Sequence, residues 1–298
     1  MPILIVLLGA ISLVSLFRRA HWPVELLTHF RPQLIVACLG GALLCLLLAE
    51  RWEWALISLG LALVNYGALP ATRWIKPEAA LATSPGLTVV WANVWQKRAA
   101  LEGTLKWAKA EGADVILIGE HPIVDPAEML PEDYPYRLDT GATTKRRYAV
   151  RIVAYSRMPL DDGAVHPGPG PNLRPILSFA VTVAGKHLTI IAAHPVPPYD
   201  TRLTQERDKH IAMLAAHVRE PFVLAGDFNV TPWSAGFKGI PGRRVGAYLF
   251  APTWFSNIPL LGLPIDHIML SPTLKASAYC VAGPTGSDHR AILARVRI

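Results

Sequence analysis

Three stretches almost free of charge lie within the first 76 residues of this 298-residue chain: "PILIVLLGAISLVSLF" (Pro2–Phe17), "QLIVACLGGALLCLLLA" (Gln33–Ala49) and "WALISLGLALVNYGALP" (Trp54–Pro70). Each is 16 or 17 residues long, the short end of what crosses a hydrocarbon core of about 30 Å as a helix. None carries the amphipathic stripe of a helix packed on a soluble core. Trp22, Trp52, Trp54 and Trp74 stand at the edges, where amphipathic rings settle at headgroup level. Ala37, Gly41 and Cys45 recur every four residues in the middle run, a small-residue stripe suited to close helix contact. A signal peptide is disfavoured, because no basic residue precedes the first run and no small-residue cleavage site follows it. The expectation is a transmembrane region over residues 1–76 with three helices, about 2–17, 33–49 and 54–70.

The chain is 52% hydrophobic and 17% charged, and this excess is concentrated in that region. Loop one (Arg18, Arg19, Arg31) and the exit from the third run (Arg73, Lys76) are basic. By the positive-inside rule they put the C-terminal part on the cytoplasmic side of a cell (inner) membrane. Alternatively, loop one lies along the interface as an amphipathic piece. Residues 77–298 hold 23 basic and 19 acidic residues, net +4, mild enough for anionic substrates or headgroups but short of a dedicated duplex binder. Cys38, Cys45 and Cys280 form neither a disulfide framework nor a zinc pattern.

"PEAALATSPG" (Pro77–Gly86) reads as a linker, and the pattern over 87–298 turns to short strands with two helices. Strands are expected at "LTVVWAN" (87–93), "ADVILIGE" (113–120), "YAVRIVAYS" (148–156), "PILSFAVTV" (175–183), "HLTIIAAH" (187–194), "PFVLAGD" (221–227), "IDHIMLS" (265–271), "SAYCVA" (277–282) and "AILARVRI" (291–298). Helices are expected at Ala99–Glu111 and Asp200–Glu220, and "HPGPGPNLRP" (166–175) reads as a surface loop. Many strands with few helices imply a layered α/β sandwich. No GxGxxG or GxxxxGK[ST] loop is present, which excludes the usual dinucleotide and nucleoside-triphosphate signatures.

The strands end in polar groups: Asn93, Glu120, His194, Asp227 with Asn229, Asp266, and Asp288 with His289. Gathered at one sandwich edge they would form an oxygen-rich site for magnesium or manganese. The histidines would supply proton transfer and positive charge for a phosphate. In "AGDFNVTPWS", Asp227 and Asn229 point the same way because side chains alternate along extended chain, and Pro232 fixes the exit.

Carried by "WANVW", "LIGE", "AYSRMPL", "AAHPVPP", "GDFNVTPWS", "PIDHIML" and "GSDHRAI", the stretch from Leu87 to Ile298 resembles the endonuclease/exonuclease/phosphatase superfamily. That superfamily includes DNase I-like nucleases, apurinic endonucleases, neutral sphingomyelinases and inositol polyphosphate phosphatases. The resemblance implies a four-layered αββα sandwich as the catalytic domain. It makes Glu120 the metal-binding glutamate, supported by Asn93, with Asp288 a second metal-side carboxylate. Asp227 and Asn229 resemble the pair that orients the attacking water and the phosphate. His289 matches the catalytic histidine, read as general base, with Asp266 orienting it, and His194 matches the histidine that contacts the phosphate and protonates the leaving group. The strand before "AYSRMPL" departs from the pattern by lacking a glycine. Its Arg151 either reaches the cleft as a phosphate ligand or sits on a solvated face. Lys145–Arg147 reads as a solvated turn, and His121, His210, His217, His267 and Trp233 read as structural.

Spans followed by a catalytic domain resemble the layout of VanJ-type membrane members, which keeps an extracytoplasmic domain open. The reading is a Mg2+- or Mn2+-dependent phosphoesterase acting on a lipid-linked phosphate or pyrophosphate, with membrane lipids as surroundings. The alternatives are a nuclease on DNA or RNA, which the modest charge disfavours, and a non-catalytic membrane protein that keeps the fold.

Overall fold

The structure, a computed structural model, describes residues 2–17, 22–48, 51–69, 74–123, 132–141, 150–170, 174–246 and 250–298. Apolar runs become helices where expected: α1 (Pro2–Val14), α3 (Arg31–Leu48) and α4 (Trp52–Gly67), with a short α2 (Trp22–His29) in loop one. The expectation of three full spans is not met. α3 has 18 residues, about 27 Å at the helical rise, and among the described residues it alone is long and apolar enough to cross a membrane. α1 stops after 13 residues and α4 after 16, about 20 and 24 Å. The packing stripe on α3 also differs: Ala37 is exposed, and Cys38, Gly41, Ala42 and Cys45 are buried instead. Gly41 is needed there, because a Cβ would lie 3.1 Å from Ser58 Oγ. Ser58 donates to the Cys38 carbonyl at 2.7 Å and Asn65 Nδ2 to Ser12 Oγ at 2.8 Å, so polar bonds tie the helices together inside.

The remainder is a sandwich of two mixed sheets. β1 (Trp74–Ile75), β10 (Arg243–Val245), β11 (Asp266–Leu270), β9 (Phe222–Asp227), β8 (Lys186–Ala193), β7 (Ile176–Val183) and β6 (Asp161–His166) form a seven-stranded sheet in that spatial order. β12 (Lys275–Val281), β13 (Ile292–Arg297), β2 (Gly86–Asn93), β3 (Val115–Gly119), β5 (Val153–Ser156) and β4 (Tyr136–Asp139) form a six-stranded one. Inward residues of both, among them Val89, Trp91, Leu117, Leu177, Ile190, Val223 and Ile268, interdigitate as the main core. α5 (Arg98–Ala110) covers the six-stranded sheet through Ala100, Leu101 and Ala108. α6 (Thr201–Leu214) covers the other through Ile211 and Leu214. The layers are those of the expected α/β sandwich.

Local chemistry explains the boundaries. α5 closes at Glu111 before Gly112 at φ +69°, a left-handed position where glycine costs nothing. α6 starts from Asp200, whose carboxylate accepts from the Leu203 amide at 2.7 Å. It ends at Leu214, short of the expected Glu220; Val218 still packs on the core, but from the following turn. β5 is shorter than 148–156, whose first two positions lie outside the described residues, as do Lys145–Arg147, Arg18, Arg19 and Arg73.

Candidate active site

Register brings the strand ends together. Asn93 pairs with Gly119 across parallel β2 and β3, which puts it beside Glu120. Ala193 pairs with Gly226 across parallel β8 and β9, aligning His194 with Asp227. Gly226 permits this approach, since the Ala193 carbonyl lies 2.1 Å from where a Cβ would sit. Asp266 is the direct cross-strand partner of Asp227. His289 joins through an antiparallel bridge to Trp254. Glu120 and Asn229 take left-handed backbone angles, φ 51° and 53°, turns that re-aim the chain at a functional edge at some cost in strain.

Hydrogen bonds then lock the side chains. Asn93 Nδ2 donates to Glu120 Oε1 at 3.0 Å and to Asp227 Oδ2 at 3.2 Å. His194 Nε2 lies 2.9 Å from Glu120 Oε1, and its Nδ1 lies 3.1 Å from the Asp227 carbonyl oxygen. Both ring nitrogens thus face oxygen atoms, which fixes the orientation of the ring. The Asn229 amide donates to Asp227 Oδ1 at 3.1 Å, and its Nδ2 donates to the Pro195 carbonyl at 3.0 Å. His289 Nδ1 pairs with Asp266 Oδ2 at 2.8 Å, leaving Nε2 3.7 Å from Asp227 Oδ2. The other Asp266 oxygen accepts from Trp91 Nε1 at 2.8 Å, a bond across the two sheets.

Electrostatics follow from this burial. Desolvation alone would raise Glu120, but the hydrogen bond and charge of His194, with the Asn93 amide, pull its carboxyl down to about 2. It is therefore ionised at any working pH. Burial raises the Asp227 carboxyl, helped by the Asp266 charge and opposed by His194 and His289. Burial opposes charge on His289, yet Asp266 and Asp227 more than offset that and push it up to about 10.

An open cleft of about 280 Å³ exposes Glu120, His194, Asp227, Asn229, Asp288 and His289 together. Asp266 lies behind them as the partner of His289. Arg151 departs from the phosphate-ligand reading. Its Nε and Nη2 hold Asp139 at 2.9 and 2.5 Å, and it does not line the cleft. The cationic guanidinium in the cleft is Arg174, from the proline-rich stretch read as a surface loop. Its Nη1 donates to the His194 carbonyl at 3.2 Å, while its buried Nε has no partner among the described residues. Burial lowers its pKa, and Asp227 and Glu120 work against that. Proline masked the signal, although an arginine among cleft-side carboxylates suits phosphate. Of the histidines set aside, His121 bonds Tyr155 Oη at 2.7 Å and His267 bonds the Val230 carbonyl at 2.8 Å, both buried and structural. Trp233 is fully buried.

Two donor groups suit a divalent ion. Asp227, Asp266 and His289 present ligand atoms all within 4.8 Å of one another. Both Asp266 oxygens are engaged, by Trp91 and His289. Both Asp288 oxygens also accept, from Trp254 Nε1 and Ser287 Oγ, each at 3.3 Å, and the Asn93 amide oxygen accepts from the Trp95 N–H at 3.0 Å. Glu120 uses Oε1 for both of its side-chain bonds and lines the cleft with Asp288. Carboxylate and amide oxygens are what Mg2+ or Mn2+ takes, and the donor chemistry fits the ion, with Glu120 the carboxylate that would need no bond broken.

Residues 90–289 match the sequence profile of a family described as the Endonuclease/Exonuclease/phosphatase family. A comparison with curated protein sequences returned no match. Solved structures with a similar fold include a humanized D. rerio TDP2 (18% identity, 71% of this chain and 99% of that one, TM-score 0.57). An AP endonuclease from Archaeoglobus fulgidus follows at 17% identity (71% and 100%, TM-score 0.54). A mannosyl-6-phosphatase from Bacteroides thetaiotaomicron follows at 14% (71% and 100%, TM-score 0.53). At these identities the likeness is one of fold.

Proposed function

The chain belongs to the endonuclease/exonuclease/phosphatase family, hydrolases of phosphate esters, and on that premise we propose a membrane-anchored, divalent-metal-dependent phosphoesterase acting on a lipid-linked phosphate or pyrophosphate. In this reading residues 1–76 anchor the protein, 77–86 link, and 87–298 catalyse. The observation that carries it is the convergence of Glu120, His194, Asp227, Asn229, Asp288 and His289 on one cleft. Support for the anchor comes from the apolar surface of the N-terminal helices: Ile3, Val6, Leu43, Leu47, Leu48, Leu56 and Leu63 are all exposed, a patch that water penalises and lipid covers.

Glu120, Asn93 and Asp288 would hold the Mg2+ or Mn2+ ion. When bound, the ion stabilises negative charge on the phosphoryl oxygens as the ester bond breaks. Asn229 and Arg174 orient the phosphate. The base assignment shifts from His289 to Asp227. A histidine kept protonated by Asp266 and Asp227 cannot accept a proton, whereas a carboxylate whose pKa burial raises is suited to take one from water. His289 then faces the phosphate as a cation, and His194 protonates the leaving oxygen.

The test uses full-length protein in detergent with Mg2+, offered a polyprenyl pyrophosphate, a phospholipid and plasmid DNA, with Asp227→Ala and His289→Ala as controls. Phosphate released from a lipid, lost in both variants, supports the reading. Plasmid nicking with inert lipids replaces it with a nuclease.

A further inference from the structure

α2 was expected as a loop or an interfacial piece, yet it is built into the catalytic cleft. Glu25 pairs with Arg207 of α6 at 2.7 Å, with the arginine fully buried. His29 Nδ1 lies 2.9 Å from Thr231 Oγ1, and Trp233 Nε1 donates to the His29 carbonyl at 3.1 Å. Thr231 and Trp233 belong to the same "GDFNVTPWS" segment that carries Asp227 and Asn229. Gln33 Nε2, at the start of α3, donates to the Gly262 carbonyl at 3.0 Å. The bonds fall on both sides of one corner, from Glu25 to Gln33, and hold it against the sandwich.

So fixed, Leu26, His29 and Phe30 line the cleft with Glu120, His194, Asp227 and His289. Leu26 and Phe30 are four positions apart, and Leu26 lies on α2 itself, so they stand near one another along the corner. Trp254, Leu263, Ile265 and Tyr199 complete an apolar lining around the polar floor. A free sugar phosphate would leave this lining without a partner, and a nucleotide would meet it only where its base stacks on an aromatic ring. An amphiphile matches both halves. The lining also continues outward. Phe30 runs directly into α3, the helix long enough to cross a membrane. Leu260 and Leu261, in the loop that Gln33 grips, are 72% and 50% exposed. At about 280 Å³ the cleft holds a phosphate and the first few carbons of its carrier, so the rest of a chain must lie along that outer apolar surface.

Resting on the phosphoesterase reading, we propose that Leu26 and Phe30 are specificity-determining residues, forming the wall along which a hydrocarbon chain leaves the cleft for the outer apolar surface. The enzyme thereby selects phosphates carried on an apolar chain in the bilayer. The N-terminal segment is part of the active site as well as its tether.

The experiment compares C15 and C5 prenyl pyrophosphates, identical in headgroup, on full-length protein in detergent with Mg2+. Wild type should prefer the longer chain by about tenfold or more in kcat/KM, the scale of discrimination that a few methylenes give in an apolar pocket. Leu26→Ala with Phe30→Ala should bring the two substrates near parity, chiefly by lowering kcat/KM for C15. Leu26→Met with Phe30→Leu, which keeps the wall apolar and most of its volume, should retain the preference. Equal loss on both substrates in the alanine variant, or an unchanged preference, overturns the proposal. If wild type hydrolyses neither, the phosphoesterase reading fails, and the wall is judged by affinity in chelator: tighter C15 than C5 binding that disappears in the alanine variant supports it, and equal binding overturns it.

Discussion

The N-terminal helices and the sandwich follow opposite rules of burial. In the helices the small and polar residues face inward, Cys38, Gly41, Ser58 and Asn65, together with Ile5 and Leu8, while most leucines face outward. In the sandwich the aliphatic residues are inside and the polar groups collect at strand ends. In the membrane-anchored reading proposed above, the contrast reflects two solvents. Lipid tails offer no reward for burying leucine, so close helix contact and internal hydrogen bonds would hold the first region. Water drives the second together. α2 buries polar groups as the other helices do, Glu25, Thr28 and His29, but Glu25 and His29 bond to the sandwich, and Leu26 and Phe30 stay partly open to the cleft.

Substitutions can break this contrast region by region. The largest effect belongs to the polar edge of the sandwich. Asp227→Ala should lower turnover on any accepted phosphate by about a thousandfold, the scale of losing acid–base and positioning chemistry together, with the melting temperature of the folded protein little lowered. Steady-state kinetics beside a thermal melt checks it.

At the junction, Arg207→Met leaves Glu25 buried without its cation. It should destabilise the protein by about 3–5 kcal/mol, seen as a lower denaturation midpoint, whereas Glu25→Leu combined with Arg207→Met should recover much of the loss. A larger deficit in the double variant would mean that α2 is not held as described.

Within the helices, Gly41→Val forces methyl groups into the space beside Ser58. Overpacking of this kind costs about 1–3 kcal/mol, and it should loosen the helices while sparing hydrolysis of a short-chain substrate. A matched loss of that activity would show that the two regions fold as one unit.

The smallest effect is one of pH. In metal-free protein His289 has its folded pKa raised to about 10 from 6.5. Its charge therefore stabilises the fold fully below pH 6.5, and that contribution is lost as pH rises toward 10. Glu120, lowered from 4.5 to about 2, stabilises above pH 4.5 and loses this as pH falls toward 2. Melts in chelator should decline at both ends, and His289→Gln should flatten the alkaline side only.

How far sequence reached differs between the regions for the same physical reasons. The strand-end residues were legible because each apolar run stops at a polar group, and Asn93, Glu120, His194, Asp227, Asn229, Asp266, Asp288 and His289 all came from local motifs, although Glu120 and Asn229 are aimed by left-handed turns and not, as expected for Asn229, by extended chain. Arg174 was hidden by a Pro/Gly-rich stretch whose composition describes its backbone and not its destination. Arg151 was misplaced because Asp139, its partner, lies 12 residues away on another strand. The apolar runs gave the helices but overestimated α1 and, by one residue, α4, since hydropathy continues past the point where the helix ends, while α3 came out one residue longer than its run. The docking of α2 was the least visible feature, because the Glu25–Arg207 pair joins residues 182 positions apart and neither residue signals the other.

The most direct measurement is the release of inorganic phosphate from a C15 prenyl pyrophosphate by the full-length protein in nanodiscs, with and without Mg2+. The account predicts release that requires the ion and vanishes in Asp227→Ala. Inert lipid pyrophosphate, with plasmid DNA cut under the same conditions, would contradict it.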